Sequence, residues 1–392
     1  MCSRLDTKPQ HEAPGREPCG LAIRAKISSV IRRAAVHALG LVLILSLWAT
    51  VPVSVNASTV GHEPAGFSYF HSYAQNEALI DSLVAAHPTI AKKFSIGQSY
   101  EGREIWGIEL TSNVNGSLGN KPEVYINGLI HARERAANEL ALYMMQVLAN
   151  NYGHGGKLGH RVTSILNSTV VWIVPMVNPD GAEYDFSGST PKLWRKNRQP
   201  IPNSKQIGID LNRQFPYTWN CCGGKTSKKP SSEYYEGWAA AVAPEVQDYM
   251  QFVQDHSAGQ SRITEILSLH SAAREVLWPY AYTKVAVPSD MTQDDHATFV
   301  AIGKGIAQRN GYRALQGSGL YVVSGDMDDW AYGTLGIFAE TIELPRGSQN
   351  RYYPTQAEIN TFDSQNRGAV LWWMEQAACP YAAAGLGAGH CT

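Results

Sequence analysis

A histidine and a glutamate, His131 and Glu134, lie three residues apart where an apolar run of the sequence gives way to a helical pattern. Imidazole and carboxylate groups both bind zinc, and side chains three residues apart can reach one ion if the turn between them is tight. The apolar run, residues 124–130, is typical of a buried strand, and the crevice at the end of a strand is a common ligand site. For the pair alone, an ordinary polar strand end is the better interpretation, so the rest of the sequence has to support a metal site.

Two further residues with suitable chemistry, His270 and Glu343, follow apolar runs in the same way. Their runs, residues 263–269 and 335–342, are also predicted strands, so we expect His131, His270 and Glu343 at one rim of one sheet. Two histidines and one glutamate leave the fourth position of a zinc ion open for water, which is the pattern of a catalytic zinc site. The alternatives are a strand-end histidine with an ordinary hydrogen-bond partner and a surface acid.

The elements that would position these residues alternate along the chain. Periodicity predicts strands at 93–97, 105–110, 124–130, 169–177, 263–269 and 335–342, and helices at 78–86, 245–255, 295–310 and 355–379. A further helical pattern follows Glu134, and the stretch 183–236 is predicted to be a long loop, either functional or disordered. Strands that alternate with helices predict an α/β fold. We expect a single domain over residues 66–379, with a mixed, mainly parallel central sheet flanked by helices on both faces.

Composition and charge limit the classes of function. The 392 residues are 44% hydrophobic and carry a formal net charge of -1, which is ordinary for a globular protein. A protein that binds nucleic acid would show a basic excess. We therefore expect no nucleic-acid partner.

The N-terminal region has the pattern of an export signal. A basic stretch precedes an uncharged apolar run at 38–48, and a small-x-small cleavage pattern follows at 55–57. We predict a leader with a signal peptide over 1–57, a short linker over 58–65, and a secreted domain, extracellular or periplasmic, without stable membrane association. An uncleaved signal anchor is the alternative, and both interpretations place the domain outside the cytoplasm.

Four cysteines follow the leader: Cys221, Cys222, Cys379 and Cys391. An even number of cysteines in an oxidising compartment permits two disulfides. A bond between Cys379 and Cys391 would close a short loop in the Gly/Ala-rich tail at 380–392, whereas the partners of the adjacent Cys221 and Cys222 stay open. A metal site built from the four is the alternative, although no C-x-x-C spacing favours it.

Motifs along the chain resemble those of the zinc metallocarboxypeptidases of the carboxypeptidase A/B type. They occur in the family's order over roughly residues 66–375: Tyr100-Glu-Gly-Arg, His131-Ala-Arg-Glu-Arg, Asn178-Pro-Asp-Gly, Leu193-Trp-Arg-Lys-Asn-Arg, Gly208-Ile-Asp-Leu-Asn-Arg, Ser268-Leu-His-Ser, Asp329-Trp and Thr341-Ile-Glu-Leu. The resemblance implies a zinc-dependent exopeptidase that removes the C-terminal residue from peptides and proteins. Secreted bacterial members look closer through Trp219-Asn-Cys-Cys-Gly-Gly, but the cysteine expected near Ser231 is absent.

The resemblance assigns the chemistry to five residues. It implies one zinc ion held by His131, Glu134 and His270, which is the ligand set of carboxypeptidase A itself. Glu343 would be the general base that takes a proton from the attacking water. Arg195 would stabilise the negative charge on the tetrahedral oxygen.

A second group of residues is implied to bind the substrate. Asn212 and Arg213 match the residues that hold the terminal carboxylate, and a guanidinium suits a planar carboxylate because it can donate two parallel bonds. Tyr321 matches a mobile tyrosine that closes over that carboxylate. Arg133 and Ser271 resemble accessory substrate contacts.

Two acids complete the implied site. Asp210 resembles a carboxylate that orients one zinc histidine. Asp328 stands where the family has the floor of the pocket for the terminal side chain, and members with Asp there prefer Lys and Arg ends. We therefore predict basic, or dual basic and apolar, specificity. The alternative is that Asp328 turns away and the pocket accepts apolar residues as well.

Two other functions compete with this one. A cell-wall peptidase could act on peptides that end in diaminopimelate, whose second amine Asp328 could also meet. A catalytically inactive peptide-binding protein of the same fold would be favoured by loss of Glu343 or of a zinc ligand, and none is lost. The digestive members of the family carry a large inhibitory prosegment, and we expect none here because few residues separate Ala57 from Gly66.

Overall fold

The computed structural model describes Pro64, residues 66–257 and residues 262–391. The predicted leader and most of the predicted linker lie outside the described residues. Among the helices that are described, none combines the length and the apolar character that a membrane crossing requires.

Eight strands form one sheet within the described residues. They are β1 (Ala91–Gln98), β2 (Glu104–Leu110), β3 (Glu123–Asn127), β4 (Val170–Val174), β5 (Ile263–Ser271), β6 (Glu275–Trp278), β7 (Arg313–Gln316) and β8 (Phe338–Leu344). Their order is β1-β2-β4-β3-β5-β8-β6-β7. The central strands β4, β3, β5 and β8 are parallel, as is the β6–β7 pair. The other pairs, β1–β2, β2–β4 and β8–β6, are antiparallel. The predicted mixed, mainly parallel sheet is confirmed.

Helices cover both faces of this sheet, as predicted. They are α1 (Tyr73–Ala86), α2 (Arg135–Asn151), α3 (Gly156–Ser168), α4 (Pro179–Asp185), α5 (Pro244–Asp255), α6 (Gln293–Asn310), α7 (Met327–Leu335), α8 (Gln356–Met374) and α9 (Gly387–His390). Helices α1, α2, α3, α6 and α8 contribute to the core on one face, and α5 and α7 contribute to the core on the other.

The continuous apolar runs of β3 and β4 follow from this layered arrangement. Every residue of both strands is buried. Val124 and Ile126 belong to the core under α2, whereas Tyr125 packs on the α5 side. Burying one such aliphatic side chain contributes about 1.5–3 kcal/mol to the stability of the fold. The packed centre of the sheet therefore holds the residues at its rim in place.

The predicted long loop is ordered by polar side chains more than by regular structure. Between α4 and α5, a stretch that is described throughout, the only helical turn is a 3₁₀ turn at Leu211–Arg213. The Gln214 amide donates to the Ala239 carbonyl at 3.0 Å and accepts from the Val242 amide at 2.8 Å. These bonds fix the fold of a segment that lacks hydrophobic periodicity.

The four cysteines form two disulfides. Cys379 pairs with Cys391 and ties the Gly/Ala-rich tail to the end of α8. Cys221 pairs with Cys222. With all four sulfurs in disulfides, none is free to hold a metal as a thiolate.

Six elements are absent from the sequence prediction, namely helices α3, α4, α7 and α9 and strands β6 and β7. Strands β6 and β7 have four residues each, and α7 has nine, too few for periodicity to stand out. Helix α3 contains Gly156 and Gly159 and begins after another glycine, which obscures its start. The predicted strand 124–130 ends at Asn127, and the predicted helix 355–379 ends at Met374.

Candidate active site

The three predicted zinc ligands meet at one buried point. His131 Nδ1 lies 3.0 Å from Glu134 Oε1, and His270 Nδ1 lies 3.0 Å from Glu134 Oε2 and 3.1 Å from His131 Nδ1. All three residues are 3% exposed. Tetrahedral zinc with nitrogen and oxygen ligands holds the donor atoms about 3.3 Å apart. Two imidazole nitrogens and a carboxylate facing one another at this spacing fit a bound cation.

A tight turn after β3 brings His131 to this point. A Cβ on Gly128 would lie 2.9 Å from the carbonyl oxygens of Ala137 and Pro175, so only glycine fits there. The Asn178 side chain, from the Asn-Pro-Asp-Gly motif, donates to the Ile130 carbonyl at 3.1 Å. The turn lets the chain change direction before α2, and Glu134 stands at the N-terminus of that helix.

Asp210 orients His131 from the side opposite to the metal point. Its Oδ1 lies 3.1 Å from His131 Nε2, and its Oδ2 accepts from Arg195 Nε at 2.9 Å. Burial alone would raise the pKa of the Asp210 carboxyl, but Arg195, Arg213 and His131 together hold it well below its usual range. An ionised carboxylate on Nε2 directs Nδ1 toward the metal point.

Arg195 lies beside the metal point, and one of its nitrogens makes no hydrogen bond to any described residue. Its Nη1 lies 3.5 Å from Glu134 Oε1. Its Nη2 is buried and has no hydrogen-bond partner anywhere in residues 66–257 and 262–391. A fixed guanidinium with an unused N–H is suited to stabilise an oxygen that gains negative charge.

Glu343 lies beside His270 in the sheet. The two residues are paired across β5 and β8, and Glu343 is 8% exposed at the cleft. Burial and the nearby Glu134 carboxylate raise the pKa of Glu343 to about 7, against the influence of His270 and Arg195. A carboxylate with a pKa near neutrality is suited to accept a proton and pass it on.

The predicted carboxylate-binding residues lie on the 3₁₀ turn. Asn212 lines the cleft, and its Nδ2 donates to Asp326 Oδ1 at 2.8 Å. Arg213 lies behind Asn212 and is 1% exposed, with Nε donating to the Lys225 carbonyl at 2.8 Å. Its Nη2 is buried without a hydrogen-bond partner in the described chain. Tyr321 stands over it, with 5.9 Å between guanidinium and ring centroid.

Asp328 lies in the same cleft at the first turn of α7. It is 6% exposed, and its Oδ2 accepts from Thr341 Oγ1 at 2.7 Å. Its Oδ1 is buried and accepts no hydrogen bond from any described residue. Burial and the nearby Asp326 raise the pKa of Asp328 well above its usual range, although the Thr341 bond opposes this. Asp328 thus lines the cleft with one carboxylate oxygen that lacks a partner among the described residues.

The predicted accessory residues, Arg133 and Ser271, also line the cleft. Arg133 Nη1 donates to Glu233 Oε2 at 2.8 Å, and its guanidinium stacks on Tyr352 at 4.3 Å. The Ser271 amide donates to Glu134 Oε2 at 3.2 Å. Tyr234 also lines the cleft here.

The structure therefore brings most of the predicted site into one cleft. Its walls include His131, Arg133, Glu134, Arg195, Asn212, His270, Ser271, Tyr321, Asp328 and Glu343. Asp210 and Arg213 stand behind the walls. Sequence reasoning missed Tyr234, Glu233 and Asp326, which lie in loops or at a helix start without a pattern that singles them out.

Comparison with known proteins gives a consistent result. The zinc carboxypeptidase family model matches residues 76–369. A zinc carboxypeptidase of Saccharothrix mutabilis subsp. capreolus is 32% identical over 318 residues, which cover 81% of this chain and 71% of the relative. Carboxypeptidase A1 of Bos taurus is 31% identical over 281 residues, which cover 71% of this chain and 63% of the bovine protein.

A solved structure shares the fold. The crystal structure of carboxypeptidase A from Helicoverpa armigera matches with a TM-score of 0.68 at 24% identity, and the match covers 81% of this chain and 74% of that one. The family match spans most of the described domain, and the predicted ligands of a zinc ion converge within it. The chain thus belongs to the zinc carboxypeptidase family of metal-dependent peptide hydrolases.

Proposed function

We propose that this protein is a secreted exopeptidase that removes one residue from the C-terminus of peptides and proteins and prefers basic ends, or both basic and apolar ends. The observation that carries the proposal is the content of the cleft. It joins the metal ligands, a carboxylate of near-neutral pKa, and donors for a terminal carboxylate next to the free oxygen of Asp328.

The free C-terminus positions the substrate. The Asn212 side chain has one N–H left for the terminal carboxylate, because its other N–H donates to Asp326 and its oxygen accepts from the Met327 amide. Arg213 adds positive charge from behind, and Tyr321 covers the bound end. A peptide held this way places its last amide bond over the metal point, which explains why one residue is removed at a time.

Glu343 and Arg195 act on the last amide bond. Zinc held by His131, Glu134 and His270 would supply a Lewis acid and lower the pKa of the attacking water. Glu343 accepts the proton of that water at a carboxylate oxygen and delivers it to the leaving amine nitrogen. The Arg195 Nη2 donates to the carbonyl oxygen as it becomes negative.

Asp328 sets the preference for the terminal side chain. A lysine or arginine side chain that enters the pocket brings a cation to the free Oδ1, and the resulting pair is shielded from water. A neutral side chain leaves that oxygen unpaired, although a protonated Asp328 lowers the cost. The pocket therefore takes basic ends first and apolar ends second.

Release rates from N-blocked dipeptides that end in Arg, Lys, Phe or Leu test the proposal. We expect release in each case that stops with a chelator and returns with zinc, and rates that favour Arg and Lys. Asp328→Leu should lower kcat/KM for Arg and Lys ends by about 100-fold and spare Phe and Leu ends. Asp294→Asn, far from the cleft, is the matched control. No release from any of the four would reject the peptidase, and an unchanged end preference in Asp328→Leu would reject the role of Asp328.

Secretion is proposed from the leader pattern alone. Expression of the full chain in a secreting host should deliver a protein to the medium or periplasm that begins at Ser58. N-terminal sequencing checks this start. Retention in the membrane fraction with the leader intact would instead support the signal anchor.

A further inference from the structure

Asp326 joins the two parts of the terminal-residue pocket. Its Oδ1 accepts from Asn212 Nδ2 at 2.8 Å, and its Oδ2 accepts from the Asp328 amide at 3.1 Å. The first contact reaches the 3₁₀ turn, and the second reaches the first turn of α7. These segments are more than a hundred residues apart in sequence, so one carboxylate helps to join two walls of the cleft that are distant along the chain.

The bonds around Asp326 leave the Asn212 amide one orientation. The Asn212 Oδ1 accepts from the Met327 amide at 2.9 Å, while Nδ2 donates to Asp326. A flip of the amide would set Nδ2 against the Met327 N–H and the carbonyl oxygen against the Asp326 carboxylate. Both contacts would then be repulsive, so the second N–H of Nδ2 points in a fixed direction.

Asp326 itself faces the cleft, although the sequence motifs do not mark it. It is the N-cap residue of α7. A cap needs only one acceptor for a backbone amide. The second oxygen is therefore not required for the helix, and its partner is the residue that we propose receives the substrate's carboxylate.

We propose that Asp326 is a positioning residue that acts through Asn212: it holds the Asn212 amide in the one orientation that presents an N–H to the terminal carboxylate, in register with Asp328 at the pocket floor. This inference rests on the proposed exopeptidase function. It assigns Asp326 to substrate binding, and it leaves the proton transfers to other residues.

Two substitutions separate positioning from helix capping. Asp326→Ser keeps an N-cap oxygen for the Asp328 amide, but its short side chain cannot also reach Asn212. Asp326→Ala removes both bonds. We expect both variants to raise KM for an N-blocked dipeptide by about tenfold and to change kcat by less than about threefold. Asp294→Asn, whose partner His390 lies in the tail, should change neither constant.

A double-mutant cycle tests the route of the effect. If Asp326 acts through Asn212, then Asp326→Ser should add little to the loss already caused by Asn212→Ala. Full additivity of the two losses, or a Ser variant with wild-type KM, would overturn the proposal and leave Asp326 as a cap only. The free energy of unfolding of each variant is measured in urea, and Asp326→Ser supplies the kinetic answer if Asp326→Ala does not fold.

Failure of the proposed function gives a different result. In that case the wild-type protein itself releases no residue from any dipeptide. An active wild type with additive variants rejects the positioning role alone.

Discussion

Glu343 is the proposed general base, so we expect turnover to depend on it most directly. We expect Glu343→Gln to reduce kcat by at least about 1000-fold, because the amide keeps the size of the side chain but cannot accept the proton. Zinc content, measured by atomic absorption, should stay at one ion per chain because the three ligands are unchanged. Retained turnover would remove Glu343 as the base, and loss of zinc would show that it supports the metal instead.

Glu233 holds Arg133, which we propose contacts the part of the substrate that precedes its terminal residue. Its carboxylate pairs with Arg133 Nη1 at 2.8 Å, and the Arg133 side chain is 8% exposed. We expect Glu233→Gln to raise KM about threefold to tenfold for N-blocked tripeptides, since Arg133 loses its charged partner, and to affect dipeptides less.

The matched control for this prediction is another arginine–glutamate pair. Glu101→Gln breaks the contact of Glu101 with Arg103 at 2.6 Å, and neither residue lines the cleft. The control should leave both substrates unchanged. An equal effect of Glu233→Gln on dipeptides and tripeptides would contradict an upstream role for Arg133.

At the residue scale, the sequence predicts best those site residues that lie near the ends of strands. Four site residues lie at or just beyond strand ends, where an apolar run in the sequence precedes them: His131, Glu134, His270 and Glu343. Asp326 also belongs to the site, but it lies at a helix cap. Side-chain hydrogen bonds fix its position there, and such bonds leave no periodic pattern in the sequence. Arg213 shows a second limit, because the motif identifies the residue but not that it is 1% exposed.

Among the elements, α8 carries a capping box at its start. Thr355 Oγ1 accepts from the Glu358 amide at 3.3 Å, and Glu358 Oε2 accepts from the Thr355 amide at 2.7 Å. We expect Thr355→Ala to lower the free energy of unfolding by about 1 kcal/mol in urea. Thr355→Ser keeps the hydroxyl and should stay within about 0.3 kcal/mol of wild type. Equal losses in both variants would mean that the methyl group of Thr355, and not the capping hydrogen bond, stabilises the helix.

Element boundaries could be predicted only where local chemistry marks them. The capping box is visible in the sequence, and the predicted start of α8 agrees with the structure to within one residue. The helical pattern predicts an end at Cys379, whereas the helix ends at Met374. Beyond that point the chain turns and continues to a bond between Cys379 and Cys391. Such a constraint from a distant residue cannot be deduced from helical periodicity.

For the molecule as a whole, buried acids make stability depend on pH. Asp363 on α8 is 8% exposed, and its Oδ1 has no hydrogen-bond partner among the described residues. Burial and the nearby Glu139 raise the pKa of Asp363 to about 8 from an ordinary 3.8. The folded state thus retains a proton that the unfolded state has released, and stability is lost as pH rises from about 4 to about 8.

Asp363→Asn tests this pH dependence. Each pH unit inside the window contributes at most about 1.4 kcal/mol, so the wild type should lose about 1–4 kcal/mol between pH 5 and pH 8 from this group. The variant should lack that part of the slope and should be the more stable of the two at pH 8. Urea unfolding at both pH values checks the prediction, and parallel slopes for the two proteins would refute it.

The pairing of His270 with Glu343 in adjacent strands also has a consequence for protein engineering. Neighbouring strands are about 4.8 Å apart in any β-sheet, so the spacing between a metal ligand and the proposed base is inherited from the sheet and not from a loop. The proposed pocket floor on α7 and the loop around Glu233 lie outside that pair, whereas the 3₁₀ turn is joined to His131 through Asp210. Substitutions in α7 and in that loop can therefore alter recognition of the substrate without moving the pair, and variants with altered end preference should keep the pH dependence of kcat of the parent enzyme.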